Sequence, residues 1–115
     1  MTVEEMIKLA HKSIDDKKGT DIAVINIGKI TSMADYFVIA SGTSERQVKA
    51  IADHVEDELA KLGIEPKGKE GTFASRWVLL DYGDFMVHVF KDDEREYYNL
   101  ERLWKDAPYV DVEEL

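Results

Sequence analysis

Apolar residues recur along this chain in two rhythms, and the switches between them mark its elements. Val3, Met6, Ile7, Ala10 and Ile14 recur at steps of three and four, one face of a helix running from Val3 to about Lys17. Thr2 and Glu5 fit a capping box at its start. Lys17 and Lys18 suit the negative end of the helix dipole, and Gly19 suits the stop. The pattern then changes to a β-branched run over Ile22 to Ile27, a strand whose apolar Ile22-Ala23-Val24-Ile25 stretch predicts burial on both faces in a central position. Gly28 to Asp35 is a polar connection, and Tyr36 to Ala40 is a second strand ended by Ser41 and Gly42. Helical spacing returns with Val48, Ile51, Ala52, Val55, Leu59 and Leu62, preceded by a second capping box at Ser44 and Gln47 and stopped by Gly63. His54 falls beside this stripe and is read as structural.

Ile64 to Lys67 is expected as a short strand that Pro66 confines to an edge, followed by a loop from Gly68 to Thr72. Arg76 to Tyr82 and Phe85 to Lys91 form a hairpin, because a two-residue loop starting with Gly83 permits the positive φ of a II′ turn. A short helix around Glu96 to Lys105 follows, closed by Ala107-Pro108. The order α-β-β-α-β-β-β-α implies an α/β fold: one domain, with a mixed β-sheet flanked by helices.

With Tyr82 facing Phe85 across the turn, alternation divides the hairpin into two faces. One carries Val78, Leu80, Tyr82, Phe85, Val87 and Val89, an ordinary core set. The other carries Trp77, Leu79, Asp81, Met86, His88 and Phe90, mixing large apolar rings with a carboxylate and an imidazole. Either this mixed face packs under a helix with Asp81 and His88 at its rim, or it is an exposed patch for a protein partner. The two long amphipathic helices suffice to cover one side of a small sheet, which favours an open second side.

Composition narrows the functions such a domain can carry. The 115 residues carry 15 Lys+Arg against 24 Asp+Glu, a net charge of -9, which disfavours binding that rests on neutralising phosphates or on anionic membranes. There is no Cys, so disulfides, thiol catalysis and Cys-based metal sites are absent, and His11, His54 and His88 lie far apart in sequence. The start of the chain has no signal-peptide pattern, and no stretch approaches the roughly 18 apolar residues of a membrane span. A cytoplasmic protein is expected, with residues 1–108 as the domain and 109–115 as an acidic tail.

Catalytic constellations are thin. Asp81 and Asp84 flank a turn and do not share one strand face, and Asp92, Asp93 and Glu94 read as a solvated charge run. Gly42-Thr43-Ser44 precedes a helix, where anions bind, but lacks the rest of a phosphate-binding fingerprint and reads mainly as a turn and cap. Ser41 and Ser44 have no adjacent His to act as base. No catalytic, cofactor-binding or metal-binding residue is assigned.

Three ordered blocks carry a more specific signal. They are Asp35-Tyr36-Phe37-Val38-Ile39-Ala40-Ser41-Gly42-Thr43-Ser44-Glu45-Arg46-Gln47, then Trp77-Val78-Leu79-Leu80-Asp81-Tyr82-Gly83-Asp84 with Val87-His88-Val89-Phe90, then Tyr97-Tyr98-Asn99-Leu100-Glu101-Arg102-Leu103-Trp104 with Asp106-Ala107-Pro108. Together they closely resemble the ribosomal silencing factor (Iojap) family, over nearly the whole chain. The resemblance implies a nucleotidyltransferase-like fold without that enzyme's catalytic carboxylates. It also implies binding to the large ribosomal subunit at its L-fourteen protein, which blocks joining of the small subunit and lowers translation when nutrients are short. In that light the expected partner-binding residues are Trp77, Leu79, Met86, His88 and Phe90 with Asp81 at the edge, extended by Tyr98, Glu101 and Trp104, while Leu100 and Leu103 pack inward. The contact would be with a basic protein rather than with RNA or membrane. A nucleotide-binding enzyme and a self-associating homodimer are the alternatives.

Overall fold

The computed structural model describes residues 1–32, 34–71, 76–93 and 107–115. The helix expected around Glu96 to Lys105 lies outside them. Helix α1 spans Val3–Asp16, and its capping box forms: the Glu5 N–H donates to Thr2 Oγ1 at 3.1 Å, while Glu5 Oε1 accepts from the Thr2 N–H. The helix ends differently from the expected glycine stop. Lys18 takes the left-handed conformation, with φ 62°. The Gly19 and Lys18 amides donate back to the Ile14 and Asp15 carbonyls, the double closure of a Schellman motif with Lys where Gly usually stands. Gly19 is required for space instead, since a Cβ there would run into Ile14 Cγ2.

Strand β1 (Thr20–Asn26) pairs antiparallel with β2 (Tyr36–Gly42). One extra residue in β1 between Thr20 and Ala23 makes a bulge, and Asp21 in it has φ 50°. Helix α2 (Glu45–Ala60) follows, with Ser44 Oγ accepting from the Gln47 N–H at 3.1 Å. Gly63, at φ +79°, closes α2 as expected, and the Ile64 amide donates to the Leu59 carbonyl. The next strand corrects the sequence reading. β3 is Gly68–Glu70, within the expected loop, and Ile64 packs against the core instead of pairing. Pro66 has no N–H to give a ladder, and pairing begins only once the Lys67 amide reaches the Asp81 carbonyl, at 2.7 Å. All of β3 is exposed, and Lys69 ties it to α2 by pairing with Glu56 at 2.9 Å.

The hairpin of β4 (Trp77–Asp81) and β5 (Phe85–Lys91) has the expected register, from Trp77 opposite Phe90 to Asp81 opposite Met86. Its turn is tightened by the Asp84 amide donating to the Tyr82 carbonyl at 3.1 Å across Gly83, whose φ is +87°. Such a one-residue reversal at positive φ favours glycine.

The strands form one mixed sheet in the order β1-β2-β5-β4-β3, with β2 and β5 as its parallel pair. β1, expected at the centre, is therefore the first strand of the sheet. Val24 and Ile25 are nonetheless 3% and 1% exposed, because α1 and α2 cover one side and a smaller apolar cluster covers the other. The larger core joins Ile7 and Ile14 of α1, Val48, Ile51, Val55 and Leu59 of α2, and the helix-facing set Val38, Leu80, Phe85, Val87 and Val89. Among the described residues no helix is long and apolar enough to cross a membrane.

Residues 109–115, expected as a separable tail, are attached. The Asn26 amide donates to the Pro108 carbonyl and the Val110 amide to the Val24 carbonyl, so this segment pairs along the outer edge of β1. A 3-10 turn at Val112–Glu114 follows, and Val110, Val112 and Leu115 pack against the main core. Apolar burial, invisible beside the acidic residues around it, holds the segment down.

Candidate partner-docking face

The side of the sheet away from α1 and α2 carries the mixed face. Sheet register sets Ile25, Phe37, Ile39, His88 and Phe90 beside one another across β1, β2 and β5. All of these are buried, with His88 at 4% and Phe90 at 1% exposure. Ile27, Ala34 and Ala107 complete this second cluster, and Trp77 and Met86 pack against it. Trp77, Leu79, Asp81 and Met86 are half-buried and form the part of the expected set that reaches solvent. His88 and Phe90 thus support the face from beneath, which corrects both placements of His88, at a rim and in an exposed patch. β5 has β2 on one side and β4 on the other, and the rings of Phe37 and Trp77 lie against the imidazole of His88. Tyr98, Glu101 and Trp104 lie outside the described residues.

Aromatic geometry makes the support specific. Trp77 stacks on Phe90 with ring centroids 5.4 Å apart and planes 9° apart. The imidazole of His88 lies nearly parallel to both rings, and Phe37 meets it edge-on at 4.7 Å. Trp77 Nε1–H donates to His88 Nδ1 at 3.2 Å. An indole N–H only donates, so Nδ1 carries the lone pair and the imidazole proton sits on Nε2. Nε2 is buried without a hydrogen-bond partner. Burial pushes the His88 pKa down to about 4, leaving the ring neutral at physiological pH.

Asp81 serves the turn: its Oδ1 accepts from the Gly83 N–H at 2.8 Å, an Asx turn that fixes the hairpin end next to Met86. On the helix-covered side, burial is the main reason the Tyr82 hydroxyl is pushed up, with Glu56 and Glu65 adding to it. Lys69 is raised chiefly by its hydrogen bond to Glu56.

The other candidate, Gly42-Thr43-Ser44, works as a cap. Gln47 Oε1 takes the Thr43 N–H at 2.6 Å and the Thr43 hydroxyl at 2.9 Å, while Ser44 Oγ takes the Gln47 N–H. Two amides that would grip an anion are therefore engaged by side chains. The expected second capping box is thus half formed, because the Gln47 side chain turns to Thr43. Gln47 Nε2 also donates to the Lys17 and Lys18 carbonyls, joining the end of α1 to the start of α2. Among the described residues no group of three or more His, Cys, Asp or Glu side chains is arranged to hold a metal ion.

A half-buried apolar row on a sheet suits a binding function, and comparison with known proteins gives that function a setting. Residues 1–115 match the sequence family described as "Ribosomal silencing factor during starvation". The chain belongs to the ribosomal silencing factor family. A relative from Halalkalibacterium halodurans named "Ribosomal silencing factor RsfS" is 48% identical over 113 residues, covering 98% of this chain and 97% of its own. A mouse relative named "Mitochondrial assembly of ribosomal large subunit protein 1" is 37% identical over 87 residues, covering 73% of this chain and 38% of its own. A crystal structure of a Chromobacterium violaceum protein superposes with a TM-score of 0.88 at 41% identity, covering 91% of this chain and 88% of that one. The family's names describe a regulatory role at the ribosome rather than an enzymatic activity.

The candidate face contains more than the hairpin alone assigns. Phe37, Ile39 and Ile25 belong to it, brought there by the parallel pairing of β2 with β5 and the antiparallel pairing of β1 with β2. Their apolar character was readable, but nothing in the local pattern says which strand lies beside β5.

Proposed function

We propose that this chain represses translation, when nutrients are short, by docking on the L-fourteen protein of the large ribosomal subunit and sterically blocking the small subunit. Its site of action would be the cytoplasm. The contact is made by Trp77, Leu79, Asp81 and Met86, with His88 and Phe90 beneath them, and Tyr98, Glu101 and Trp104 are proposed as further contact residues. The observation that carries this reading is the half-buried row of Trp77, Leu79 and Met86 on a fixed sheet, in a chain whose whole length matches a silencing family. The mouse relative's name also refers to the large subunit. A net charge of -9 suits a basic ribosomal protein and opposes direct contact with RNA. Inhibition of this kind needs occupancy and no chemistry. The nucleotide-binding alternative gains no support from Gly42-Thr43-Ser44, where the Thr43 amide and hydroxyl are already engaged by Gln47.

Co-sedimentation with purified bacterial large subunits tests the contact. Trp77→Ala is expected to cost about 2 kcal/mol or more, roughly thirtyfold in affinity, as a central aromatic anchor does. Met86→Asp should act in the same direction, and both proteins should stay folded by circular dichroism. Undiminished binding by both variants would refute the assigned face. Charge complementarity further predicts that raising salt from low to physiological strength slows association, measured by stopped flow.

A further inference from the structure

We propose that His88 is the positioning residue for Trp77 in the docking face, turning the indole N–H inward so that Trp77 meets its partner through the ring alone. This rests on the docking reading above. Trp77 Nε1–H donates to His88 Nδ1 at 3.2 Å, so its one polar group is used inside the protein. With the N–H so used, a partner's contact to Trp77 is made to its π ring, which suits an aliphatic side chain or the Lys and Arg of a basic partner. A carbonyl or carboxylate seeking the indole N–H finds it taken.

The imidazole is held for this task. Phe37 meets it edge-on, and Phe90 and Trp77 lie within 15° of its plane. The other tautomer would set two N–H groups against each other. His88 also keeps an unpartnered buried Nε2, which a phenylalanine would not have. That feature works against stability, while the hydrogen bond to Trp77 fixes one orientation of a partly exposed ring. A side chain that adds a buried unsatisfied donor and gains one bond to a docking residue is better explained by orientation than by packing.

The test separates orientation from stability. His88→Phe removes the acceptor and the orphaned N–H together. His88→Asn keeps an acceptor, since Oδ1 stands close to where Nδ1 was, but leaves space unfilled. If His88 orients Trp77, His88→Phe weakens large-subunit binding about tenfold. His88→Asn stays within about threefold of the native protein although it melts at a lower temperature. Equal loss in both variants, or binding that follows melting temperature, would mean a packing role and overturn the proposal. Native binding by His88→Phe, with Trp77→Ala still weakened, would overturn it and leave the docking reading intact. Native binding by Trp77→Ala would sink the docking reading and this inference with it. Should His88→Phe not fold, the native protein still decides. Its Trp77 indole N–H, assigned by NMR through its loss in Trp77→Phe, should exchange with water more slowly than that of free tryptophan. Exchange at the free rate refutes the hydrogen bond.

Discussion

Lys18 and Gly19 show how a stop signal can be right in place and wrong in detail. The sequence offers one glycine after α1, yet the left-handed residue is Lys18, and Gly19 is needed because Ile14 occupies the space a side chain would take. Lys18→Gly should therefore stabilise the fold by up to about 1 kcal/mol, relieving a strained conformation. Gly19→Ala should destabilise it by about 1–3 kcal/mol through overpacking. Urea unfolding of the two variants should show shifts of opposite sign.

His88 makes a second prediction at this scale. Its pKa is lowered to about 4 in the folded state, so the unfolded chain binds more protons between that value and the ordinary 6.5. The stability it contributes is complete above pH 6.5 and declines as pH falls towards 4, by up to about 3 kcal/mol. His88→Phe should flatten the dependence of the urea midpoint on pH across that window. An unchanged slope would show that the imidazole is not desolvated as described.

Elements were legible where local physics sets them. Both N-caps, the Gly63 stop and the hairpin register follow from short-range spacing, and the structure has them. β3 was displaced because Pro66 and Ile64 satisfy a strand pattern as well as they satisfy a helix end, and only the tertiary partner Asp81 distinguishes the two. The candidate docking face was half legible for the same reason. The β4–β5 side is local, whereas Phe37 arrives through a crossover. The link between α1 and α2 was also out of reach of local rules, since the Gln47 amide bonds to carbonyls 29 and 30 residues away. Gln47→Glu removes those two donors and sets a carboxylate against the Lys17 and Lys18 carbonyls. A loss of about 1–3 kcal/mol is expected at pH 7, read from thermal unfolding.

At the scale of the molecule, the fold divides its labour between the faces of one sheet. One face is given to two helices and a closed core, and the other holds aromatic rings whose outermost member reaches solvent. Segment 108–115 serves the first of these, packing Val110, Val112 and Leu115 onto the helix side and occupying the β1 edge. Removing it should lower the melting temperature and promote association in solution, because an open strand edge is a template for pairing. Light scattering of a protein shortened after Ala107 checks this, and a monodisperse, equally stable product would contradict it.

The pairing of Val24 with Val110 has a consequence in time. β1 is made early, but its outer edge is closed only by residues synthesised after every strand of the sheet. The parallel pair likewise waits, since β2 must hold its place until β5 has been made. Such distant closures come late in folding. While the chain is still being made, an unsealed edge and an uncompleted sheet coexist, the condition in which chains are most prone to wrong associations. A growing chain therefore lacks the finished sheet face until β4, β5 and residues 108–110 have all followed β1 and β2.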